Sequence, residues 1–233
     1  MTLTKRVPHG NAILGRLPKK EYQRLLTLME ETPLELGKTI YRAGDLINDV
    51  YFPNSGIVSL LAGEVERATL EVGLIGREGM VGLPVFMGVG TSRNHAVVQG
   101  AGIALKMKAA TFRKECSNGN PFARVIGRYT HSLLTQVTQS AVCNQFHSIE
   151  ARLARWLLMT HDRMIVDEFT LTQEFLSHML GVRREAVSRS ASELQKRNLI
   201  RYSRGTLKIL DRQGLEATSC GCYETVRDEP NLA

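Results

Sequence analysis

Residues 172–197 read Thr-Gln-Glu-Phe-Leu-Ser-His-Met-Leu-Gly-Val-Arg-Arg-Glu-Ala-Val-Ser-Arg-Ser-Ala-Ser-Glu-Leu-Gln-Lys-Arg, and this stretch decides the fold of the C-terminal part of the chain. Thr172 can cap a first helix, whose apolar residues recur at helical spacing in Phe-Leu-Ser-His-Met-Leu. Gly181 follows where the chain must turn sharply, because glycine accepts a positive φ without steric cost. Val187 and Leu194 continue the apolar face on a second helix. Two helices separated by a glycine turn predict a helix-turn-helix, whose second helix enters the major groove of DNA.

The second helix carries charged side chains at its leading end. Its first two turns hold three arginines, one glutamate and an intervening serine: Arg183, Arg184, Glu185, Ser188 and Arg189. Arginine can donate two parallel hydrogen bonds to guanine, and a carboxylate can accept one from the amino group of cytosine. This chemistry favours base recognition, and the simpler alternative is a solvated helix with ordinary surface arginines.

A hairpin is predicted after the second helix. Residues 199–202 and 206–210 are apolar segments that flank Ser203-Arg204-Gly205, which favours a short turn, and Arg201, Arg204 and Lys208 could then meet phosphates. Residues 183–208 hold eight basic residues against Glu185 and Glu193: Arg183, Arg184, Arg189, Lys196, Arg197, Arg201, Arg204 and Lys208. The predicted DNA-binding residues are Arg183, Arg184, Glu185, Ser188, Arg189, Arg201 and Arg204. The polar, acidic tail from Glu224 is predicted to be loose.

The charge of the whole chain is unevenly distributed. The net charge of the 233 residues is +7, with 43% hydrophobic and 23% charged residues, as in ordinary globular proteins. Residues 147–233 hold 13 basic and 12 acidic groups, so their basicity is concentrated in residues 183–208. A focused basic stretch is better evidence for double-stranded DNA as a partner than a diffuse excess. No apolar run reaches the roughly 18 residues of a membrane span and no signal peptide is recognised, so a cytoplasmic protein is expected.

The N-terminal half is predicted to form a small barrel or jelly roll. One helix is expected from Pro18, and short strands follow at residues 34–40, 51–53, 57–62, 68–75, 95–99 and 103–107. Glycines separate most of these strands, and many short strands with glycine turns are typical of such folds. A short helix is expected at residues 109–116.

A longer helix is predicted from residue 121 to about residue 143. Its apolar stripe recurs at near-heptad intervals and must be covered by the barrel, by a second subunit, or by both, and we favour both. The predicted dimerisation residues are Ile126, Tyr129, Leu133, Val137 and Ser140, and packing within one chain alone is the alternative. The repeat of apolar residues stops near residues 144–147, which mark the predicted domain boundary. The predicted domains are therefore a sensor-type barrel at 1–120, a dimerisation helix and hinge at 121–146, and a winged helix-turn-helix at 147–233.

This layout resembles the CRP/FNR superfamily of bacterial transcription regulators. The resemblance is strongest in Arg184-Glu185-Ala186-Val187-Ser188-Arg189, which looks like the recognition segment of that family, and Gly44-Asp45 and Gly56-Ile57-Val58 resemble turns of its sensor barrel. It implies an α+β fold with an N-terminal jelly-roll, cyclic-nucleotide-binding-like barrel, a long dimerisation helix and a C-terminal winged helix-turn-helix. It further implies a homodimeric, sequence-specific transcription regulator that works with RNA polymerase, with Arg184, Glu185 and Arg189 reading bases.

The sensor half departs from family members that bind cyclic nucleotides. Such members resemble one another in a Gly-Glu pair, whose glutamate accepts from the ribose hydroxyl, and a later Arg-Ser or Arg-Thr. Here Gly82 is followed by Leu83, and Arg93 is followed by Asn94. We therefore expect that the effector is not a cyclic nucleotide, and the sequence identifies neither the effector nor any cofactor.

The cysteines and histidines do not predict a metal site. Cys116, Cys143, Cys220 and Cys222 are too few and too irregular for a disulfide framework. Cys220-Gly221-Cys222 could bind a metal or form a redox pair, but two sulfurs are an incomplete ligand set, and a small-residue tail with reduced thiols is favoured. His95, His131, His147 and His161 share no ligand spacing, so each is expected to be structural or on the surface, and no metal is expected. His178 lies within the first helix of the motif, where it could reach a phosphate.

Two other classes of function are alternatives to a DNA-binding regulator. A regulatory module that acts mainly through a protein partner would bind DNA without salt dependence and without protecting an operator. An enzyme is not expected, because the sequence contains no phosphate-cradling loop, no Gly-x-Ser-x-Gly and no His-Glu-x-x-His.

Overall fold

The computed structural model describes residues 10–64, 68–117, 119–164 and 166–228. The N-terminal domain (residues 10–117) begins with the helices α1 (Ala12–Gly15) and α2 (Lys19–Leu26). Its seven strands are β1 (Glu30–Leu34), β2 (Thr39–Tyr41), β3 (Asp49–Pro53), β4 (Ile57–Glu64), β5 (Ala68–Ile75), β6 (His95–Gly100) and β7 (Gly102–Lys108). They form two antiparallel sheets, in the orders β1-β7-β3 and β2-β6-β4-β5.

The two sheets share one apolar core. Side chains of β6 alternate between buried and half-buried, as expected for strands with one face inward. Phe52, Phe112 and Phe122 meet at the centre with ring centroids 5.7–6.3 Å apart. The jelly-roll prediction is confirmed in its architecture, with the strands arranged as two sheets. The predicted single strand at residues 34–40 was wrong, because Gly37 adopts φ 79° and divides it into the end of β1 and the start of β2.

Two helices lead out of the N-terminal domain. α3 (Ala109–Cys116) follows β7, and α4 (Pro121–Phe146) runs for 26 residues. Asn120 caps α4 by accepting a hydrogen bond from the Ala123 amide at 2.9 Å, and Pro121 occupies the first helical position, where no amide hydrogen is needed. α4 ends at Phe146, His147 is its C-cap residue, and the next helix begins at Ile149.

The C-terminal domain (residues 149–228) is a helical domain with a small sheet. It contains α5 (Ile149–Met164), β8 (Glu168–Thr170), α6 (Gln173–Leu180), α7 (Arg184–Lys196), β9 (Ile200–Ser203), β10 (Thr206–Ile209), α8 (Arg212–Thr218) and α9 (Cys222–Asp228). The sheet order is β8-β10-β9. The prediction of a loose tail from Glu224 was wrong as far as Asp228, because Tyr223 and Val226 are buried and hold α9 against the domain. Residues 229–233 lie outside the described residues.

The two domains touch through polar and apolar groups. Trp156 of α5 donates its indole N–H to the Glu71 carboxylate of β5 at 3.0 Å, and Arg163 pairs with Glu78 at 2.8 Å. Leu70 of β5 packs against the turn at Gly181. These contacts fix the position of α6 and α7 relative to the N-terminal domain. Within the described ranges, no helix has both the length and the hydropathy that a membrane span requires.

Candidate DNA-binding surface

The turn between α6 and α7 has the geometry that its sequence predicts. The Thr172 hydroxyl accepts a hydrogen bond from the Phe175 amide at 3.0 Å and caps α6. Gly181 adopts φ 60° and ψ 40°, which is the left-handed conformation that glycine favours. The Val182 amide donates to the Ser177 carbonyl at 3.0 Å, and this bond closes the helix end as a Schellman motif. α7 therefore leaves the turn in a fixed direction.

α7 divides into a buried face and an exposed face. Val187, Ala191 and Leu194 are at most 1% exposed and pack into the core of the C-terminal domain. Ser190 also lies on this face, where its small side chain is buried. The predicted base-reading side chains Arg184, Glu185 and Arg189 are all exposed on the opposite face, and Ser188 is half-buried between them. The residues predicted to read bases thus share one accessible surface.

The first turn of α7 keeps free hydrogen-bonding capacity. Arg183 occupies the N-cap position with extended backbone, and its side chain makes no capping hydrogen bond. The first amides of a helix have no partner inside the helix and carry partial positive charge. An exposed cationic side chain therefore stands beside uncapped N–H groups, a combination that suits a phosphate oxygen.

The wing beside α7 is a tight hairpin. Arg204 and Gly205 have φ values of 50° and 79°, as the two central residues of a type I′ turn require. The Tyr202 hydroxyl donates to the Leu171 carbonyl at 2.8 Å, which holds the wing against the segment before α6. Arg184, Tyr202 and Arg204 line an open groove of about 370 Å³ that lies between the start of α6, the start of α7 and the wing tip, and Glu174 of α6 also lines it. Sequence reasoning missed Tyr202, because its role depends on the wing folding back towards Thr172.

The basic residues at the end of α7 form ion pairs, whereas those that face outward on α7 and the wing form none among the described residues. Lys196 pairs with Glu193 at 2.7 Å, and Arg197 pairs with Glu150 at 2.8 Å. In the part of the chain that the structure describes, no ion pair is formed by the cations that face outward on α7 and the wing: Arg183, Arg184, Arg189, Arg201, Arg204 and Lys208. Arg201 and Lys208 are also direct neighbours across β9 and β10, although Glu168 flanks Lys208 on its other side. Adjacent like charges are unfavourable unless an anion lies over them.

The predicted dimerisation residues lie mostly inside the chain. Ile126, Tyr129, Leu133 and Ser140 are 0–8% exposed and face the N-terminal and C-terminal domains of the same chain, and Val137 is half-buried at the edge of this face. The opposite face of α4 carries a second set of apolar side chains in contact with solvent. Leu134, Val142 and Phe146 are 63%, 37% and 75% exposed. These three side chains are apolar groups of α4 that the rest of the same chain leaves exposed.

The residue after Gly82, where the family resemblance would place a ribose-binding glutamate, is apolar and buried. Leu83, which directly follows Gly82, is 6% exposed within the core of the N-terminal domain. Burial raises the pKa of Tyr41 to about 12, and this tyrosine interacts with Ser92 and with the backbone of Gly82. The region thus presents a leucine and a neutral phenol rather than a carboxylate.

Comparisons with known proteins match both domains. Residues 31–118 match the model of the cyclic nucleotide-binding domain, and residues 151–218 match the Crp-like helix-turn-helix domain. Among solved structures, FixK2 from Bradyrhizobium japonicum is 18% identical with a TM-score of 0.70, over 82% of this chain and 98% of that one. The c-di-GMP responsive global regulator CLP from Xanthomonas campestris is 18% identical with a TM-score of 0.68, over 82% and 99%.

A search of curated proteins gives no match. The structural likeness nevertheless spans almost the full length of both regulators, and the two matched domains occur in the order that the fold shows. With a cyclic-nucleotide-binding-like domain, a long connecting helix and a Crp-like helix-turn-helix in one chain, this protein belongs to the CRP/FNR superfamily of bacterial transcription regulators.

Proposed function

We propose that the protein is a homodimeric, sequence-specific DNA-binding regulator whose base contacts come from Arg184, Glu185 and Arg189. The observation that carries this proposal is the exposed face of α7, on which both arginines lie beside Glu185 without a carboxylate partner among the described residues. Because these arginines form no ion pair among the described residues, none has to be broken before they can donate hydrogen bonds to guanine.

The flanking cations have a different role from the base-reading ones. Arg183 at the start of α7 and Arg201, Arg204 and Lys208 on the wing lie where the DNA backbone would pass beside a helix in the major groove. Phosphate contacts set the register and most of the salt-dependent affinity, and base contacts set sequence preference. In a homodimer the two α7 helices would read half-sites about 34 Å apart.

The experiment starts by selecting the preferred operator from a random DNA pool with the full-length protein. Arg184→Ala and Arg189→Ala are then compared with Lys196→Ala, a matched control on the same helix whose charge is already paired with Glu193. Each base-reading variant is expected to lose about 1–3 kcal/mol of preference for the operator over random DNA, and Lys196→Ala close to none. Equal losses in all three variants would contradict the assignment.

Phosphate contacts are tested by the salt dependence of binding. Arg204→Ala on the wing is expected to weaken binding to operator and random DNA alike, and to reduce the salt slope by about 1. Arg197→Ala is the control, because Arg197 is held by Glu150 and by the Thr218 hydroxyl at 2.8 Å. An unchanged salt slope in Arg204→Ala would remove the wing from the interface.

Dimerisation is proposed through the exposed face of α4. Leu134→Glu would place a charge in that interface and should convert the dimer to a monomer in analytical ultracentrifugation. Leu36→Glu is a matched control, because Leu36 is 64% exposed and Leu134 is 63% exposed, but Leu36 lies outside α4. A dimer that survives Leu134→Glu would place the interface elsewhere.

The signal to which the regulator responds is proposed to act on the packing between the N-terminal domain and α4. An effector that binds one dimer arrangement better shifts the spacing of the two α7 helices, and so the affinity for the operator. Leu83 at the position of the ribose-binding glutamate supports an effector other than a cyclic nucleotide. RNA polymerase is the expected protein partner at the promoter, and the cytoplasm is the expected location.

A further inference from the structure

Four side chains that bind metals meet where α4 ends. Cys143 and His147 are four residues apart, so they lie one helical turn from each other at the end of α4. Cys220 and Cys222 come from the connection between α8 and α9. The ligand atoms of these four residues all lie within 4.8 Å of one another.

The separations of these atoms fit one small ion. The Cys143 and Cys220 sulfurs are 3.4 Å apart, and the Cys222 sulfur is 3.6 Å from Nδ1 of His147. Tetrahedral zinc, with bonds of about 2.3 Å to sulfur and 2.0–2.1 Å to nitrogen, places two sulfurs about 3.8 Å apart and a sulfur about 3.6 Å from a nitrogen. We infer that Cys143, His147, Cys220 and Cys222 form a structural Zn²⁺ site that fastens the C-terminal helix α9 to the end of α4.

The ligand set selects the type of ion. Three thiolates and one imidazole are soft and borderline ligands, which favour zinc over magnesium or calcium. A four-ligand set without an open position is typical of structural rather than catalytic zinc. Binding converts up to three thiols to thiolates and releases their protons to solvent, and neither the metal nor sulfur changes oxidation state.

The surroundings of the cluster fit the charge of the loaded site. Zn²⁺ with three thiolates and a neutral histidine carries one net negative charge. Arg152 and Arg155 are each 8% exposed and interact electrostatically with the Cys143 sulfur. Each guanidinium also has a buried Nε without a hydrogen-bond partner among the described residues. Burying two cations is costly without nearby negative charge, which the loaded site supplies.

Two other uses of these cysteines fit less well. A disulfide requires sulfurs about 2.05 Å apart and would engage only two of the four groups, leaving His147 without a role. An iron–sulfur cluster holds its ligands around several irons, whereas here all four ligand atoms surround one point within 4.8 Å.

The site has a mechanical consequence for the C-terminal domain. α9 is only seven residues long and is anchored by the buried Tyr223 and Val226. A metal bond from Cys222, its first residue, to Cys143 and His147 would hold the domain's C-terminal end to the same helix that is proposed to form the dimer. The existence of the site does not depend on what α7 binds.

The test uses the full-length protein purified under reducing conditions. Zinc content is measured by elemental analysis, and the metal-free protein is titrated with Co²⁺, whose visible absorption reports tetrahedral thiolate coordination. Cys222→Ser and His147→Ala each remove one ligand. Cys116→Ser is the matched control, because Cys116 is the one cysteine of the chain outside the cluster.

The expected result is one zinc per chain and a tetrahedral cobalt spectrum in the wild type and in Cys116→Ser. Cys222→Ser and His147→Ala should lose more affinity than the roughly 10–100-fold that changes outside the coordination shell cause. If these variants do not fold, the test is made on the wild-type protein alone. A chelator should then release its zinc and make three further thiols accessible to a thiol reagent. Folded, reduced wild type that takes up neither Zn²⁺ nor Co²⁺ would overturn the inference, and so would a Cys143–Cys220 disulfide or bound iron with labile sulfide.

Discussion

The stability of this protein is predicted to fall as pH rises from about 4.5 to about 7, because of Glu71. This carboxylate lies between the two domains and accepts hydrogen bonds from the Ser59 hydroxyl at 2.5 Å, the Trp156 indole at 3.0 Å and the Gln99 amide at 3.1 Å. Burial nevertheless raises its pKa to about 7, since removal of the charged form from water outweighs these bonds.

The sign and the size of the effect follow from this pKa. The pKa in the folded protein lies above the value of 4.5 for a free side chain, so the folded protein binds the proton more tightly than the unfolded chain does. The resulting stability is fully present below pH 4.5 and is lost as pH rises through about 7. Each unit of difference between the folded and unfolded pKa corresponds to about 1.36 kcal/mol of stability. For Glu71 the free energy of unfolding should therefore fall by about 2–3 kcal/mol, after allowance for the partial exposure of the residue. This is a large share of the 5–15 kcal/mol that is typical of folded proteins.

Trp156 gives a direct readout of this titration. It is the one tryptophan of the chain, and its indole N–H donates to Glu71. Urea unfolding followed by circular dichroism between pH 5 and pH 8 measures the free energy of unfolding. Tryptophan emission of the native protein over the same range should change with a midpoint near pH 7.

The control separates the contribution of Glu71 from that of every other group in the chain. Glu71→Gln should remove the emission midpoint and flatten the stability curve. Glu78→Gln breaks the ion pair with Arg163 across the same domain contact but leaves Glu71 and its three hydrogen-bond donors in place, so the emission midpoint should persist. A flat curve in the wild type, or an unchanged midpoint in Glu71→Gln, would refute the reasoning.

Three further predictions concern the turn of the DNA-binding motif, the effector and the N-terminal segment. Gly181→Ala should lower the free energy of unfolding by about 1–2 kcal/mol or more, because φ is 60° and the new Cβ would lie 2.8 Å from Leu70 Cδ1. Gly37→Ala is the control, since Gly37 also has a positive φ but lies in open space, and it should lower the free energy of unfolding by only about 1 kcal/mol. Urea unfolding measures both. Cyclic AMP and cyclic GMP should give no heat of binding in calorimetry, and Leu83→Glu alone should not create a site, because it would bury an unpaired carboxylate. Asn11→Ala should lower the free energy of unfolding by about 2–4 kcal/mol, because the Asn11 side chain donates to the Pro53 and Gly79 carbonyls and accepts from two amides at the start of α1. A decrease below about 1 kcal/mol in urea unfolding would show that water replaces these hydrogen bonds.

The DNA-binding motif could be predicted from the sequence because its signals are local. Thr172 caps the helix that it precedes, and Gly181 takes the positive φ that a sharp turn requires. Val187 and Leu194 are buried in the core that α7 shares with α5 and α6. The cap and the turn depend on residues within about one helix length, and the apolar face of α7 is marked by its own periodicity, so the sequence pattern and the final environment agree.

The partner of α4 could not be predicted in the same way. Periodicity identified the buried stripe that includes Ile126 and Leu133, but a stripe does not reveal which surface covers it. In the structure the domains of the same chain cover it. The exposed Leu134, Val142 and Phe146 are separated by polar residues such as Thr138, so they form no clear second pattern in the sequence.

The cysteine and histidine cluster was missed for a topological reason. Cys143 and His147 have helical spacing, but Cys220 and Cys222 follow them only after the whole winged motif. The residues that bring them together are Tyr223 and Val226, two apolar residues in a polar tail. Two buried side chains are a weak sequence signal for a helix, and without α9 in place the ligand set is incomplete.

The orientation of α7 therefore depends on contacts that lie far from its arginines. Gly181 at the turn rests on Leu70, Trp156 is bonded to Glu71, and α9 is tied to α4 at the cluster. The first two contacts join the C-terminal domain to the N-terminal domain, whereas the third joins it to the proposed dimer helix. A signal that loosens only the first two contacts would leave the C-terminal domain attached to α4 but free of the N-terminal domain. Operator affinity should then respond to Glu71 through the spacing of the two recognition helices rather than through the bases that each helix reads.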